Sequence, residues 1–306
     1  MHHVEIKRRM GEDDIATVAA LLRVAEAADG HAPLGEHKWL DLVHGGRAGF
    51  AGFVAREPGH DRVVGYAQLS RGPDNWAVEY VVHPAHRHHD DPVGVDLLRA
   101  ALAEVGREGG GHVHVWVPKP TALHDEVASA AGLSRGRELL QLRRALPLEE
   151  GLDGPGGAEV RAFRVGEDEA AWLELNNRAF HGHPEQGAWG LATLREREQQ
   201  PWFDPAGFLL HEREGRLAAF CWTKIHDDEP LLGEIYVLGV DPHLQGHGLG
   251  HKLLVAGCEH LAAKGIPAVV LYVDADNAPA VALYSAAGFH LDHRDRAYVG
   301  DIPAAP

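Results

Sequence analysis

Apolar residues at 249, 253, 254, 258 and 261 recur at the spacing of one helix face, which predicts an amphipathic helix over Leu249–Leu261 that stops before Lys264-Gly265. Ala171, Trp172, Leu175 and Ala179 repeat that spacing and predict a helix over Asp168–Phe180, with Glu167 or Asp168 near its cap. Elsewhere the pattern is that of strands. Phe208–His211 and Leu217–Ile225 read as strands joined by a turn at Glu214-Gly215, and Leu232–Val240 as a longer one. Ala268–Val273 is apolar throughout and rich in β-branched residues, the pattern of a strand buried on both faces. Asn277 stands where it can cap a helix that runs to Ala286 and stops at Gly288. Strands and helices mix around one sheet, so the fold class is α/β (α+β).

The same order of elements occurs twice. Gly49-Phe50 opens a strand as Gly207-Phe208 does, His83-Pro84 closes an apolar run as Asp241-Pro242 does, and Ala131-Gly132-Leu133 matches Ala287-Gly288-Phe289. Between the copies, residues 147–158 are rich in Pro and Gly with little to bury. We therefore expect tandem units over 1–146 and 159–306, joined by a linker over 147–158. A length of 306 residues suits that division.

Composition narrows the function. With 29 Lys plus Arg against 45 Asp plus Glu, the formal charge is −16, which opposes general binding to nucleic acid. The two cysteines, Cys221 and Cys258, cannot build a disulfide framework, so a reducing cytoplasm is expected. No apolar run reaches the ~20 residues of a membrane span, and the N-terminal Met1–Lys7 has no secretory apolar region. A monomer with neither a nucleic-acid nor a membrane partner is the expectation.

The segment richest in chemistry is Val237–Gly250. A strand ends at Val240, and Gly246, Gly248 and Gly250 then lead into a helix. Glycines there let main-chain N–H groups crowd around an anion, and the helix N-terminus adds a favourable dipole. Gln245 can donate to the same group, so a phosphate or pyrophosphate is the expected ligand. Taken alone, the loop also reads as a tight connection.

Gln245-Gly-His-Gly-Leu-Gly250, followed by Asn277…Tyr284…Gly288-Phe289, resembles the GNAT acetyltransferase superfamily. That resemblance implies two tandem GNAT-like domains, each a mixed central sheet flanked by helices, and acetyl-CoA as co-substrate. The coenzyme would lie on Leu238, Gly239 and Val240, then on the loop Gln245, Gly246, His247, Gly248, Leu249, Gly250 and His251, with Asn277 and Ala282 beside it. By the same resemblance Glu234 is the general base and Tyr284 supplies a proton to the coenzyme sulfur. The N–H of Val240 would polarise the acetyl carbonyl, freed by a β-bulge at Gly239. Asn277 also reads as a plain helix cap, and Tyr284 as a packed aromatic.

Asp29–Glu36, Ala179–Gly187, Trp202–Pro205, Phe220–His226 and Gly233–Val237 are similar to stretches of the mycothiol synthase family, tandem enzymes that acetylate the cysteinyl amine of Cys-GlcN-Ins. The implied acceptor contacts are Glu36, Glu185, Lys224, Glu234 and Tyr272, with Glu36 reaching in from the first copy. Alternatives are a tandem acetyltransferase for another small amine, such as an aminoglycoside or a peptide N-terminus, and a non-catalytic CoA-binding regulator.

In the first copy Trp76 stands where Glu234 does, Ala128 opposite Tyr284, and Thr121 opposite Asn277. This half is expected to be catalytically degenerate. The resemblance nominates Tyr80, Val81 and Val82 for a second CoA, which Asp90 and Asp91 would repel. The sets His86/His88/His89 and His243/His247/His251 invite a metal, but with 23 histidines in the chain such clusters arise from composition, and none is expected.

Overall fold

The computed structural model of the chain describes residues 2–305, apart from 35, 45–48, 61, 73–74, 149–157, 184–185 and 227–230; the side chains of 36, 37, 40 and 44 are likewise outside it. In chain order the elements are β1 (His3–Lys7), α1 (Glu12–Asp29), α2 (Glu36–His44), β2 (Ala51–Arg56), β3 (Val63–Arg71), β4 (Trp76–Val82), α3 (Val93–Arg107), β5 (Gly111–Pro118), α4 (Ala122–Ala130) and β6 (Ser134–Ala145). They continue as β7 (Arg161–Ala162), α5 (Glu169–Ala179), α6 (Leu191–Glu198), β8 (Phe208–Arg213), β9 (Arg216–His226), β10 (Leu232–Val240), α7 (Leu249–Ala263), β11 (Ala268–Asp274), α8 (Ala278–Ala286) and β12 (His290–Ile302). Among the described residues, no helix is long and apolar enough to cross a membrane.

The compact units differ from the expected division at 147–158. One comprises Met1–Glu138 with Arg294–Pro306, the other Leu139–His293. The cause is strand placement. In the first unit β12 returns to pair antiparallel with β5, Asp295 opposite Pro118 through Ile302 opposite Gly111. In the second, the far part of β6 pairs with β11, Leu139 opposite Asp274 through Ala145 opposite Ala268.

Within the first unit the strands run in the order β1-β2-β3-β4-β5-β12. An apolar layer containing Leu97, Leu98, Ala101 and Val105 of α3 lies on one face, and Val18, Leu21 and Ala25 of α1 belong to a separate cluster. The returning strand is tied down by charge. Asp125 of α4 accepts hydrogen bonds from Arg135 at 2.6 and 2.8 Å, from Arg296 at 2.7 Å and from the Tyr298 hydroxyl at 2.9 Å. These donors, Arg135 foremost, hold the Asp125 carboxyl down to about 2. A depressed carboxyl stabilises the fold above its unfolded value of roughly 3.9 and loses that contribution as pH falls through the folded one. Asp125→Asn is therefore expected to lower the urea midpoint near neutral pH and to converge with wild type as pH approaches about 2. Equal midpoints near neutrality would show that the network adds nothing.

The second unit runs β6-β11-β10-β9-β8-β7. Its β9 is apolar in sequence because both of its faces are covered. Ala219 and Cys221 join Leu253, Leu254, Cys258 and Leu261 of α7, while Phe220 and Trp222 join Trp172, Leu175 and Phe208 on the other face. There Trp222 stacks on Phe208 at 4.2 Å and Phe208 on Phe163 at 4.4 Å. Both cysteines are buried thiols, and burial pushes Cys221 up, away from the reactive thiolate.

The candidate active site of the second unit

The site begins with a change of register in β10. Ile235 lies opposite Thr223, yet Val237 lies opposite Trp222, so Tyr236 is an extra residue, a β-bulge. The bulge was expected at Gly239. That residue instead keeps its register opposite Phe220, and it is glycine because a Cβ would stand 2.5 Å from the Phe220 ring.

Next to the bulge, β10 parts from its other neighbour. It pairs in parallel with β11 only at Gly233–Val269 and Glu234–Val270, while its pairing with β9 continues to Val240–Ala219. Past Glu234 one edge of β10 is left open. Asp241 N–H donates to Ala218 O at 2.9 Å, and hydrogen-bonding direction alternates along a strand. Val240 and Leu238 thus turn their N–H groups away from β9, toward the opened edge. The donor that the sequence reading sought at Val240 comes from this splay rather than from a bulge at Gly239.

The loop after β10 carries the anion chemistry. Asp241 accepts from His243 N–H at 3.0 Å and starts a single 3-10 turn over Pro242–Leu244. Gly246 and Gly248 have φ of +80° and +76°, the left-handed region that only glycine enters freely, and a Cβ on either would meet nothing within 4 Å. Their conformation, not crowding, demands glycine. The first intrahelical bond of α7 runs from Lys252 N–H to Gly248 O at 3.2 Å, leaving Leu249, Gly250 and His251 N–H without an intrahelical partner. Gln245, expected to reach the anion, donates to Val240 O at 3.3 Å and keeps a second amide hydrogen free for a ligand. His247 Nδ1 lies 2.9 Å from Gln245 O.

Strand alternation sorts the remaining candidates by face. Glu234 pairs across the sheet with Lys224 on β9 and with Val270 on β11, and Tyr272 follows Val270 by two residues. Lys224, Glu234 and Tyr272 therefore share the face that bears Trp222. Glu234 is 8% exposed, and its Oε2 lies 2.7 Å from His226 Nε2. Lys224 Nζ stands 4.9 Å over the Trp202 ring and 6.0 Å from that of Tyr236. Tyr272 is 45% exposed, and its hydroxyl accepts from Gln141. Glu185 lies outside the described residues, as does the Glu36 side chain. His183 Nε2 approaches Asp274 Oδ2 at 3.4 Å.

Tyr284 occupies the opposite face. It is 8% exposed and packs in the cluster of Leu253, Leu271 and Phe289. Burial, with Cys221 nearby, pushes its phenol up, so it keeps its proton throughout the physiological range. Asn277 caps α8 by accepting from Ala280 N–H at 3.3 Å, and both it and Ala282 are exposed. A cap explains Asn277 fully.

Sequence spacing missed His226, Tyr236 and Trp202 as parts of this face. Phe220–His226 had been singled out as a stretch, but only strand register reveals which of its residues reach Glu234.

The first unit has the same splay and a closed site. Its β4 pairs with β5 from Trp76–Val113 to Val78–Val115 and then parts from it. Arg87 Nε donates to Val82 O at 2.7 Å, and its guanidinium grips Asp29 at 2.5 and 3.0 Å. Asp91 Oδ1 accepts from Val93 N–H at 3.1 Å, and its Oδ2 lies 2.8 Å from His86 Nδ1. The chain's own carboxylate thus sits where an anion would meet the start of α3. Tyr80 is half-buried, with its phenol pushed up by burial, and Val81 and Val82 are buried. Trp76 is buried at the position matching Glu234 and donates to Gly110 O at 3.2 Å. Neither histidine set drawn from the sequence forms a cluster among the described residues. Instead His86 meets Asp91 and His2, their ligand atoms within 4.8 Å of one another.

Residues 170–289 match the model of the acetyltransferase (GNAT) family. Across most of its length the chain is 44% identical to a mycothiol acetyltransferase of Acidimicrobium ferrooxidans, covering 94% of each chain. It is 46% identical to one of Thermomonospora curvata, covering 91% of each. Among solved structures, a GCN5-related N-acetyltransferase from Sphaerobacter thermophilus superposes with a TM-score of 0.75 at 21% identity, covering 99% of this chain and 97% of that one. A tandem GNAT protein from the clavulanic acid biosynthesis pathway gives 0.68 at 17% identity, covering 99% and 100%. These two likenesses concern the fold.

Proposed function

From the premise that the chain belongs to the mycothiol acetyltransferase family, we propose that its second unit transfers acetyl from acetyl-CoA to the cysteinyl amine of Cys-GlcN-Ins, with Glu234 as base and Tyr284 as proton donor. The observation that carries this reading is the opening of β10 away from β11 directly after a buried carboxylate, beside a glycine loop at a helix N-terminus. A regulator that only senses CoA has no use for a base and a proton donor.

The loop suits a diphosphate. The N–H groups of Leu249, Gly250 and His251, with the spare Gln245 hydrogen, offer donors at the positive end of a 15-residue helix. When bound, the coenzyme supplies an activated thioester. The chain's residues do the rest. An α-amine with a pKa of roughly 8 arrives largely as ammonium at neutral pH, and Glu234 removes its proton. Val240 N–H donates to the acyl oxygen as negative charge develops there. The C–N bond forms, the C–S bond breaks, and Tyr284 gives its proton to the departing sulfur. The second proton, which the nitrogen sheds as it becomes an amide, restores the phenol, so the one net proton is that taken by Glu234 and released to solvent. Lys224, held over the Trp202 and Tyr236 rings, and Tyr272 offer polar contacts to a hydroxyl-rich acceptor.

Incubation with acetyl-CoA and Cys-GlcN-Ins is expected to yield a product one acetyl group heavier with its thiol still free. Acetylation of aminoglycosides or peptide N-termini in preference to this acceptor would overturn the assignment.

The first unit serves as a degenerate partner without a coenzyme. Asp91, accepting from Val93 N–H, already occupies the start of α3, where the second unit leaves the main-chain N–H groups of its loop for a ligand. Calorimetric titration of the intact protein with acetyl-CoA is expected to give a single tight equivalent, and two would refute this reading.

A further inference from the structure

We infer that His226 is a positioning residue for the Glu234 carboxylate, holding one oxygen by a hydrogen bond so that the other is presented to the acceptor amine. The inference rests on Glu234 being the base. A carboxylate that is 8% exposed has lost most of its hydration, and a buried charge needs hydrogen-bond donors to remain ionised. Lys224 is the obvious donor, since it lies directly opposite Glu234 in the β9–β10 register. Its ammonium is instead drawn over the Trp202 ring at 4.9 Å. The partner is His226, the last residue of β9, which pairs with Leu232 and reaches diagonally to place Nε2 at 2.7 Å from Oε2.

The exchange of partners has a chemical consequence. A lysine held permanently against Glu234 would stabilise the carboxylate and weaken it as a base. A neutral imidazole with its proton on Nε2 donates one hydrogen bond without placing a full positive charge against the carboxylate, so it fixes that carboxylate in place. The bond occupies Oε2 and leaves Oε1 for the acceptor. Placement on this scale matters, because a displacement of about 1 Å can cost roughly 10²-fold in rate. The His226 side chain is itself 28% exposed and sits at a strand end, so it can be replaced without opening the aromatic core.

The test uses the intact enzyme with acetyl-CoA and Cys-GlcN-Ins. His226→Leu removes the donor, His226→Asn keeps an amide that is too short to reach, and His226→Gln keeps one that can. Leu and Asn are each expected to lower kcat by roughly ten- to a hundredfold with the KM for acetyl-CoA unchanged, whereas Gln recovers to within a few-fold of wild type. If Leu fails to fold, the comparison of Asn with Gln carries the same information. Wild-type kcat in Asn or Leu would overturn the inference, as would equal loss in Gln and Asn, or a loss confined to KM. Glu234→Gln is measured alongside. If it is active, the base reading itself falls; if it is inactive while His226→Asn and His226→Leu are normal, only the positioning role falls.

Discussion

Replacing Glu234 with Gln is expected to lower kcat by roughly 10²–10⁴-fold while leaving the KM for acetyl-CoA within a few-fold of wild type. The amide fills the same space and can still face His226 Nε2, so the aromatic face should stay packed. What disappears is the ability to take a proton from an ammonium. The residual rate should rise with pH through about 8, as more of the acceptor arrives already neutral. That rise separates a missing base from a damaged site. Steady-state rates of Glu234→Gln across that range check it. A parallel loss of coenzyme binding, or a flat residual rate, would contradict the assignment.

Tyr284→Phe is expected to lower kcat by roughly 10²-fold, again with little change in coenzyme affinity. The ring remains, so contacts with the cluster of Leu253, Leu271 and Phe289 persist and the melting temperature should move little. Only the proton is removed. Burial pushes the wild-type phenol up, so it is protonated wherever the enzyme works. Its ionisation should therefore set no basic limb of the rate profile below about pH 10. A thiolate departing into this buried setting gains from a proton delivered at once. The check is rate against pH for both proteins. Unchanged turnover in Tyr284→Phe would reduce Tyr284 to a packing residue.

Much of this machinery was legible along the chain. The period of Leu249–Leu261 gave α7 within two residues of its observed end, and the apolar run Ala268–Val273 gave β11. Gly246 and Gly248 could be read as conformationally necessary because few other residues tolerate their φ. Glu234 and Tyr284 were nominated through likeness to a family; both are buried, and they lie on opposite faces of one sheet. The bulge was misplaced from Tyr236 to Gly239 because a glycine in a strand signals either a bulge or a close approach. Here it marks the approach of Phe220.

Other features had no local signal. His226 is eight residues from Glu234 along the chain, and only the β9–β10 register, Leu232 opposite His226 and Glu234 opposite Lys224, makes them neighbours. In the first unit, Arg87 finds Asp29 at a separation of 58 residues, so nothing near Arg87 announced that it would close the site. Which strand β6 and β12 each join is set by pairing far along the chain, Leu139 with Asp274 and Asp295 with Pro118.

By itself, the order of residues determined the kinds of element, the duplicated plan, and the turn chemistry of the anion loop, since period and backbone freedom are local properties. Tertiary structure alone decided where β10 leaves β11, which donor faces the buried carboxylate, and which of the two glycine-poor or glycine-rich loops stays open. Those outcomes depend on cross-strand register and on side chains brought together over long separations, and a one-residue slip in register would exchange the two faces of the sheet.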